Sequence, residues 1–132
     1  MSSTSGSAER VEEGSVTLTV PGRPEYLRLV RLAAADAGTR AELSIEDVED
    51  LRIAVDELTY ALVGDEPVDE VLTLTYTASP GLVEIEGSIP TTGAAIAVSE
   101  LSQSIIGAVV DDHEIVDDGV TRRFRFTKRS RM

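Results

Sequence analysis

The chain contains no cysteine and only one histidine among its 132 residues, and these two shortages exclude several kinds of site. Without cysteine there is no disulfide and no thiolate metal site. With one histidine, a three-histidine zinc site is impossible, and His113 is the only base for a Ser-His-Asp site. The run 111–114 combines three carboxylates with His113, but successive residues of a strand point to opposite faces, so we predict a solvated edge there.

Long apolar runs are also missing. None approaches the roughly 20 residues of a membrane helix, and the Ser-rich, then acidic start lacks the apolar stretch of a signal peptide. We therefore expect a cytoplasmic protein and no membrane partner. We predict residues 1–13 as a disordered leader, 14–128 as one domain and 129–132 as a basic tail.

Negative charge dominates the chain and is unevenly placed. The formal net charge is −12. Up to Thr121 there are 24 acidic and six basic residues, a net charge of −18, whereas the remainder has six basic residues and no acidic one. An acidic body repels nucleic acid and anionic membranes, so we expect no direct nucleic-acid contact and favour a basic protein partner. The alternative is that the charge only keeps the protein in solution.

Apolar spacing predicts the secondary structure. Strands are predicted where apolar and polar residues alternate, at 16–20, 72–77, 82–88, 113–116 and 120–127. Helices are predicted where apolar residues recur every three or four positions. The first helix begins near Pro24 and ends at Gly38, the second runs from the N-cap Ser44 to Gly64, and the third spans 99–110.

The order β-α-α-β-β-α-β-β predicts an α+β fold, an α/β two-layer sandwich. Alternating strands are typical of an antiparallel sheet with one buried and one solvated face, so we expect three helices on one face of a mainly antiparallel sheet. In the last strand Phe124 and Phe126 are expected in the core, and Arg123 and Arg125 outside. The apolar stripe of the second helix, residues 45–62, is also expected in the core.

Two stretches resemble RsbW-type anti-sigma factors, which belong to the GHKL, or histidine-kinase-like, ATPase superfamily. They are Val20–Leu27 (VPGRPEYL), followed by Arg31-Leu32, and Glu49–Glu57 (EDLRIAVDE). The resemblance covers residues 15–127 and is strongest up to Val63. It implies the GHKL fold and a cytoplasmic bacterial regulator that usually forms a homodimer. Members bind a sigma factor and use ATP and magnesium to phosphorylate a serine on an anti-anti-sigma partner.

The resemblance also implies an ATP site, from which this chain departs. The family's second helix carries a catalytic Glu and, four residues later, a magnesium-binding Asn; here these are Glu57 and Ala61, and a methyl group cannot bind magnesium. The family's adenine-reading Asp, at the end of a strand, corresponds to Ser88. The glycine-rich phosphate segment corresponds to Ser99–Ser104, which lacks glycine and contains Glu100. A like charge about 4 Å away costs on the order of 4 kcal/mol at an effective dielectric of about 20.

These departures favour a binding module that contacts a sigma factor or an anti-anti-sigma domain without phosphorylation and without a cofactor. The alternative is an active ATP-dependent serine/threonine kinase with a divergent site, in which Glu57 is catalytic and ATP and magnesium are cofactors. A third interpretation is a partner of a two-component or developmental regulator. A kinase must bind ATP with magnesium and a pure binder need not, so nucleotide binding separates the first two.

Acidic residues on and after the second helix form the candidate partner surface. They are more numerous than helix capping requires, and they attract basic segments of a sigma factor. Their simpler interpretation is a solvated helix face. The set is Glu46, Glu49, Asp50, Asp56, Asp65, Glu66, Asp69 and Glu70.

The first strand and first helix are expected to carry the homodimer that the resemblance implies. Thr17 and Thr19 form a polar strand edge, and Tyr26 follows close behind in the chain. The alternative is a monomer in which this edge is covered.

Overall fold

The computed structural model describes residues 14–64, 69–91, 96 and 98–131. Its elements follow the predicted order, with a short 3-10 turn before the first helix. They are β1 (Ser15–Pro21), the turn (Pro24–Tyr26), α1 (Leu27–Arg40), α2 (Ile45–Val63), β2 (Val71–Ser79), β3 (Leu82–Pro90), α3 (Glu100–Val109), β4 (Asp112–Asp117) and β5 (Thr121–Arg129).

The five strands form one antiparallel sheet in the order β1-β2-β3-β5-β4. Alternate residues face the helices, and they include Tyr76, Ile85 and Phe126, all fully buried. We call this the inner face and the opposite, threonine-rich side the outer face. The Tyr76 hydroxyl donates to the carbonyl oxygen of Val30 at 3.0 Å, which ties β2 to α1, and burial raises the pKa of this phenol. The predicted α+β sandwich is therefore confirmed.

Local signals explain where α2 begins and ends. The Ser44 hydroxyl accepts a hydrogen bond from the backbone N–H of Asp47 at 3.1 Å, and Gly64 stops the helix with a φ of 80°. The prediction that Gly38 ends α1 is wrong, because α1 continues to Arg40. Gly38 lies inside the helix, where the missing side chain lets α1 approach Val48 of α2 closely.

Two large apolar residues are on the surface, and one of them, Ile45, was expected in the core. Ile45 is 85% exposed because it occupies the first turn of α2, and Leu101 is 71% exposed on α3. Ile106 is instead the fully buried residue of α3. Within the described residues, no helix combines the length and the apolarity that a membrane span requires.

Candidate functional site

The candidate catalytic residue, Glu57, lies on α2 and faces α3. The Ser102 hydroxyl of α3 donates to Glu57 Oε1 at 2.6 Å, and both side chains are partly buried. The contact is short because the acceptor is a carboxylate. The hydrogen bond joins α2 to the first turn of α3. It occupies one oxygen of Glu57, the carboxylate that the resemblance identifies as catalytic.

Ala61 lies one helical turn beyond Glu57, as the resemblance requires of the magnesium position. Its side chain is 8% exposed and is a methyl group, so it offers no oxygen to a metal ion. Among the described residues, no group of three or more His, Asp or Glu side chains is arranged to hold a metal. Glu57 and Ala61 therefore keep the spacing of the family's catalytic and magnesium-binding positions, but residue 61 has no oxygen to bind magnesium.

Ser88 lies on the other side of the sheet from these two residues. It pairs with Thr73 of β2 and Arg123 of β5, and all three project from the outer face. The inward-facing residue at this end of β3 is Ile89, which is 1% exposed. The structure thus brings Glu57 and Ala61 together but separates Ser88 from them, and the inward position holds a buried apolar side chain.

The start of α3, where the resemblance places the phosphates, is capped by the chain itself. The Ser99 hydroxyl accepts from the backbone N–H of Ser102 at 3.0 Å, and Glu100 is the exposed first residue of the helix. The cap satisfies one of the free N–H groups that a phosphate otherwise takes. Glu100 adds negative charge at the same helix end.

A buried arginine on β5, near the end of α2, was not predicted from the sequence. Arg122 of β5 is 5% exposed and points to the inner face. Its Nε donates to Asp117 Oδ2 at 3.2 Å, and its Nη1 donates to the carbonyl oxygen of Leu62 at 3.3 Å. The signal was present in the alternation of β5, because residues with the parity of Phe124 must face inward.

The same parity places Lys128 inside, in a cluster of four charges. Its Nζ donates to Asp50 Oδ2 at 3.0 Å and to the Val109 carbonyl oxygen at 2.9 Å, and lies 3.5 Å from Asp47 Oδ1. Both Lys128 and Asp47 are 1% exposed. Arg131 reaches the same two carboxylates at 3.3 to 3.5 Å. The C-terminal residues therefore join the start of α2 to the end of α3.

The predicted partner surface is largely occupied by ion pairs within the chain. Asp65 and Glu66 lie outside the described residues. The six others include four that pair with basic side chains: Glu49 with Arg52, Asp50 with Lys128 and Arg131, Asp56 with Arg31, and Asp69 with Arg23. Glu46 and Glu70 are exposed. The available negative charge is consequently smaller than the sequence indicates.

The outer face holds a separate depression of about 260 Å³, whose lining includes Thr75, Ser88 and Arg125. Arg125 lies within 3.2 to 3.4 Å of three carboxylates. Hydrogen bonds to these carboxylates, with the one to Glu114 contributing most, raise the pKa of Arg125. This depression is on the opposite side of the sheet from Glu57, so it belongs to a different surface.

Comparison with known proteins supports the resemblance. The chain is 32% identical over 106 residues to an anti-sigma-F factor RsbW of Mycobacterium tuberculosis, covering 80% of this chain and 63% of that protein. It is 36% identical over 78 residues to a serine-protein kinase RsbW of Listeria monocytogenes, covering 55% of this chain and 48% of that one. A serine-protein kinase RsbW of Listeria innocua is 39% identical over 66 residues, 46% of this chain and 41% of that protein.

These similarities confirm the predicted resemblance to proteins named RsbW. The chain spans less than two thirds of the length of each of these three relatives. No protein-family model matches the chain.

Proposed function

We propose that this chain is a cytoplasmic anti-sigma-type regulator that acts by binding a sigma factor or an anti-anti-sigma domain, without using ATP. The observation that carries the proposal is the state of the α2–α3 site. Glu57 is hydrogen-bonded to Ser102 at 2.6 Å, and the position one turn later is the buried methyl group of Ala61. Relatives named anti-sigma-F factor support the regulatory class.

The residues at this site do not fit ATP with magnesium. The metal position offers no oxygen, and the adenine position, Ser88, has no carboxylate and faces outward, with the buried Ile89 beside it on the inner face. The start of α3 carries Glu100 and a serine cap. Magnesium prefers oxygen ligands, and phosphates prefer free backbone N–H groups. Each departure weakens a different part of the nucleotide, so their effects accumulate. These departures support a function in protein contact.

A kinase remains the second candidate because Glu57 is retained on α2 and relatives are named serine-protein kinase RsbW. A kinase must free the Glu57 carboxylate from Ser102 and recruit metal ligands other than residue 61. Phosphorylation of a serine on an anti-anti-sigma domain, measured with radiolabelled ATP, separates this candidate from the first. We expect no transfer above the level of the Glu57→Gln variant.

Capture of the partner from the native cytoplasm tests the proposal directly. The immobilised chain is expected to retain a sigma factor or an anti-anti-sigma domain, identified by mass spectrometry, with and without added ATP. A matched column bearing a Leu58→Asp variant, which disrupts the fully buried core of α2, controls for nonspecific retention. Recovery of neither partner class contradicts the proposed function.

Charge on the loop after α2 is expected to set the rate of partner association. Asp69 is almost fully exposed, paired only at 3.3 Å with Arg23 among the contacts described, and Glu70 is exposed. Reversing both to lysine is expected to lower the association rate with a basic partner roughly tenfold at low salt, since steering depends on the local field. Added salt should shrink this difference, because screening acts over about 8 Å at physiological strength.

The control for this prediction moves the same charge elsewhere. Glu25→Lys with Glu86→Lys changes the net charge equally, on the turn before α1 and on the outer face. Stopped-flow kinetics at two salt concentrations compares the pairs. If the two double variants lower the association rate equally, the cause is net charge, and the loop after α2 is not part of the interface. A set extended to Asp65 and Glu66 tests all four acidic residues that follow α2 in the predicted surface.

Self-association is expected at the β1 edge of the sheet. Residues 15–20 carry no charge that would block strand pairing, and Val16 is 43% exposed there. Leu29 and Leu32 of α1 are 47% and 58% exposed. Multi-angle light scattering should give about twice the 14.1 kDa of one chain. Val16→Lys should return the mass to one chain, while Val120→Lys, at a turn, should not.

A further inference from the structure

The region that corresponds to the ATP site of RsbW-type proteins contains a buried arginine that the resemblance does not explain. Arg122 is among the few charged residues that are buried in the described part of the chain. Arginine is almost never fully buried unless it is paired, and here the pairing is partial. Its Nε and Nη1 have acceptors, whereas Nη2 is buried without a hydrogen-bond partner among the described residues.

The position of this guanidinium is fixed by two neighbours. Its Nη1 donates to the carbonyl oxygen of Leu62, the residue that directly follows Ala61. Arg122 is also directly opposite Ile89 in the register of β5 and β3, and both face inward. The side chain consequently lies between the end of α2 and the inward end of β3. The first is the place that the resemblance assigns to magnesium binding. The second lies on the inner side of β3 next to Ser88, the position that corresponds to the adenine-reading Asp but faces outward here.

We propose that Arg122 is an internal plug that fills the space of a nucleotide base and excludes adenine compounds from this chain. The proposal rests on the proposed function, since it gives the loss of nucleotide a steric cause besides the missing ligands. A base entering between α2 and β3 must displace the guanidinium. Displacement breaks the ion pair with Asp117 and the contact with Leu62, and it costs the free energy of both contacts, although the Asp117 side chain is itself 27% exposed.

A simpler role for Arg122 is to cap the carbonyl groups at the end of α2. Basic side chains commonly take this position at helix C-termini. A cap accounts for the Leu62 contact and for added stability. Neither a cap nor a plug supplies Nη2 with a partner among the described residues. The two roles differ in one measurable respect: removing a cap only lowers stability, whereas removing a plug also creates a binding space.

Adenosine is the probe that isolates the plug. It has no phosphates, so neither Glu100 nor the missing magnesium ligand at Ala61 affects its binding, and the missing adenine-reading Asp affects the parent chain and the Arg122 variants alike. Arg122→Ala is expected to bind adenosine at least tenfold more tightly than the parent chain in a calorimetric titration. Arg123→Ala is the matched control, because Arg123 is adjacent in sequence but half exposed on the outer face. It should bind adenosine no better than the parent.

Arg122→Lys keeps the test decisive if the alanine variant does not fold. Lysine retains a cation for Asp117 but withdraws the planar group from Leu62, so a smaller gain in adenosine binding is expected. A folded Arg122 variant that binds adenosine no better than the parent overturns the plug. Partner capture by the parent chain is measured independently. A parent that captures a sigma factor while the variants gain no adenosine binding therefore keeps the proposed function and rejects only the plug.

Discussion

Lys128→Ala is expected to lower the free energy of unfolding by roughly 3 kcal/mol or more, a large share of the stability of a domain this size. The amino group is 1% exposed and bonds Asp50 Oδ2 at 3.0 Å and the Val109 carbonyl oxygen at 2.9 Å. Its removal leaves the buried Asp47 carboxylate with only the more exposed Arg131. Breaking a buried pair is costly because the remaining charge stays out of water.

Denaturant unfolding of three variants measures this effect. Arg129→Ala, one residue along and exposed, should change the free energy of unfolding by less than about 0.5 kcal/mol. Asp47→Asn combined with Lys128→Met should recover part of the loss, since neither member of the pair then stays charged and unpaired. A loss below about 1 kcal/mol for Lys128→Ala would show that the cluster contributes little.

The same substitution at two glycines is expected to act in opposite directions. A methyl group at Gly87 would meet the ring of Phe124, which is 1% exposed and held in the core. Overpacking of this kind costs about 1–3 kcal/mol, so Gly87→Ala should destabilise the chain. At Gly107 of α3 no heavy atom lies within 4 Å of the added carbon. Gly107→Ala should therefore stabilise the helix by about 0.5–1 kcal/mol.

Thermal and denaturant unfolding of both variants checks the pair. Phe124→Leu added to Gly87→Ala should make room for the methyl group, so the two changes should be less than additive. Additive losses would mean that the ring and the glycine do not limit each other. A stable Gly87→Ala variant would mean that β3 and β5 can shift apart at this point.

The elements that were predictable from sequence are those in which local signals and burial agree. The cap at Ser44, the stop at Gly64 and the alternation of the strands each placed an element within a few residues. Gly38 failed as a stop signal because helix packing, and not the chain's local preference, explains that glycine. The prediction that Ile45 is buried was wrong, because the apolar stripe of a helix does not show how far along the helix the neighbouring elements cover it.

The candidate site was predictable only along α2. The spacing of Glu57 and Ala61 fixes both on one helix face, whatever the rest of the chain does. Ser102 and Arg122 reach the same region from α3 and β5, and only the tertiary fold brings them there. Lys128 is instructive because alternation from Phe126 already places it inward. A charged residue at an inward strand position therefore predicts a buried ion pair or a functional site.

The ion pairs across the predicted acidic surface are also beyond sequence reasoning. Asp56, Asp69 and Asp50 accept hydrogen bonds from Arg31, Arg23 and Lys128, which lie 25, 46 and 78 positions away. A composition with 24 acidic residues gives no indication of which carboxylates are already satisfied. The surface proposed for a partner is therefore narrower than the charge count implies.

Calorimetric titration with ATP and magnesium tests the central claim most directly. We expect no saturable binding to the parent chain at micromolar ATP, because the site lacks a metal ligand at Ala61, a carboxylate at Ser88 and a free helix start before Glu100. Ala61→Asn should remain without tight binding, since it repairs only the first of these. A low-micromolar dissociation constant for the parent, or for Ala61→Asn alone, would contradict the account and place the kinase first.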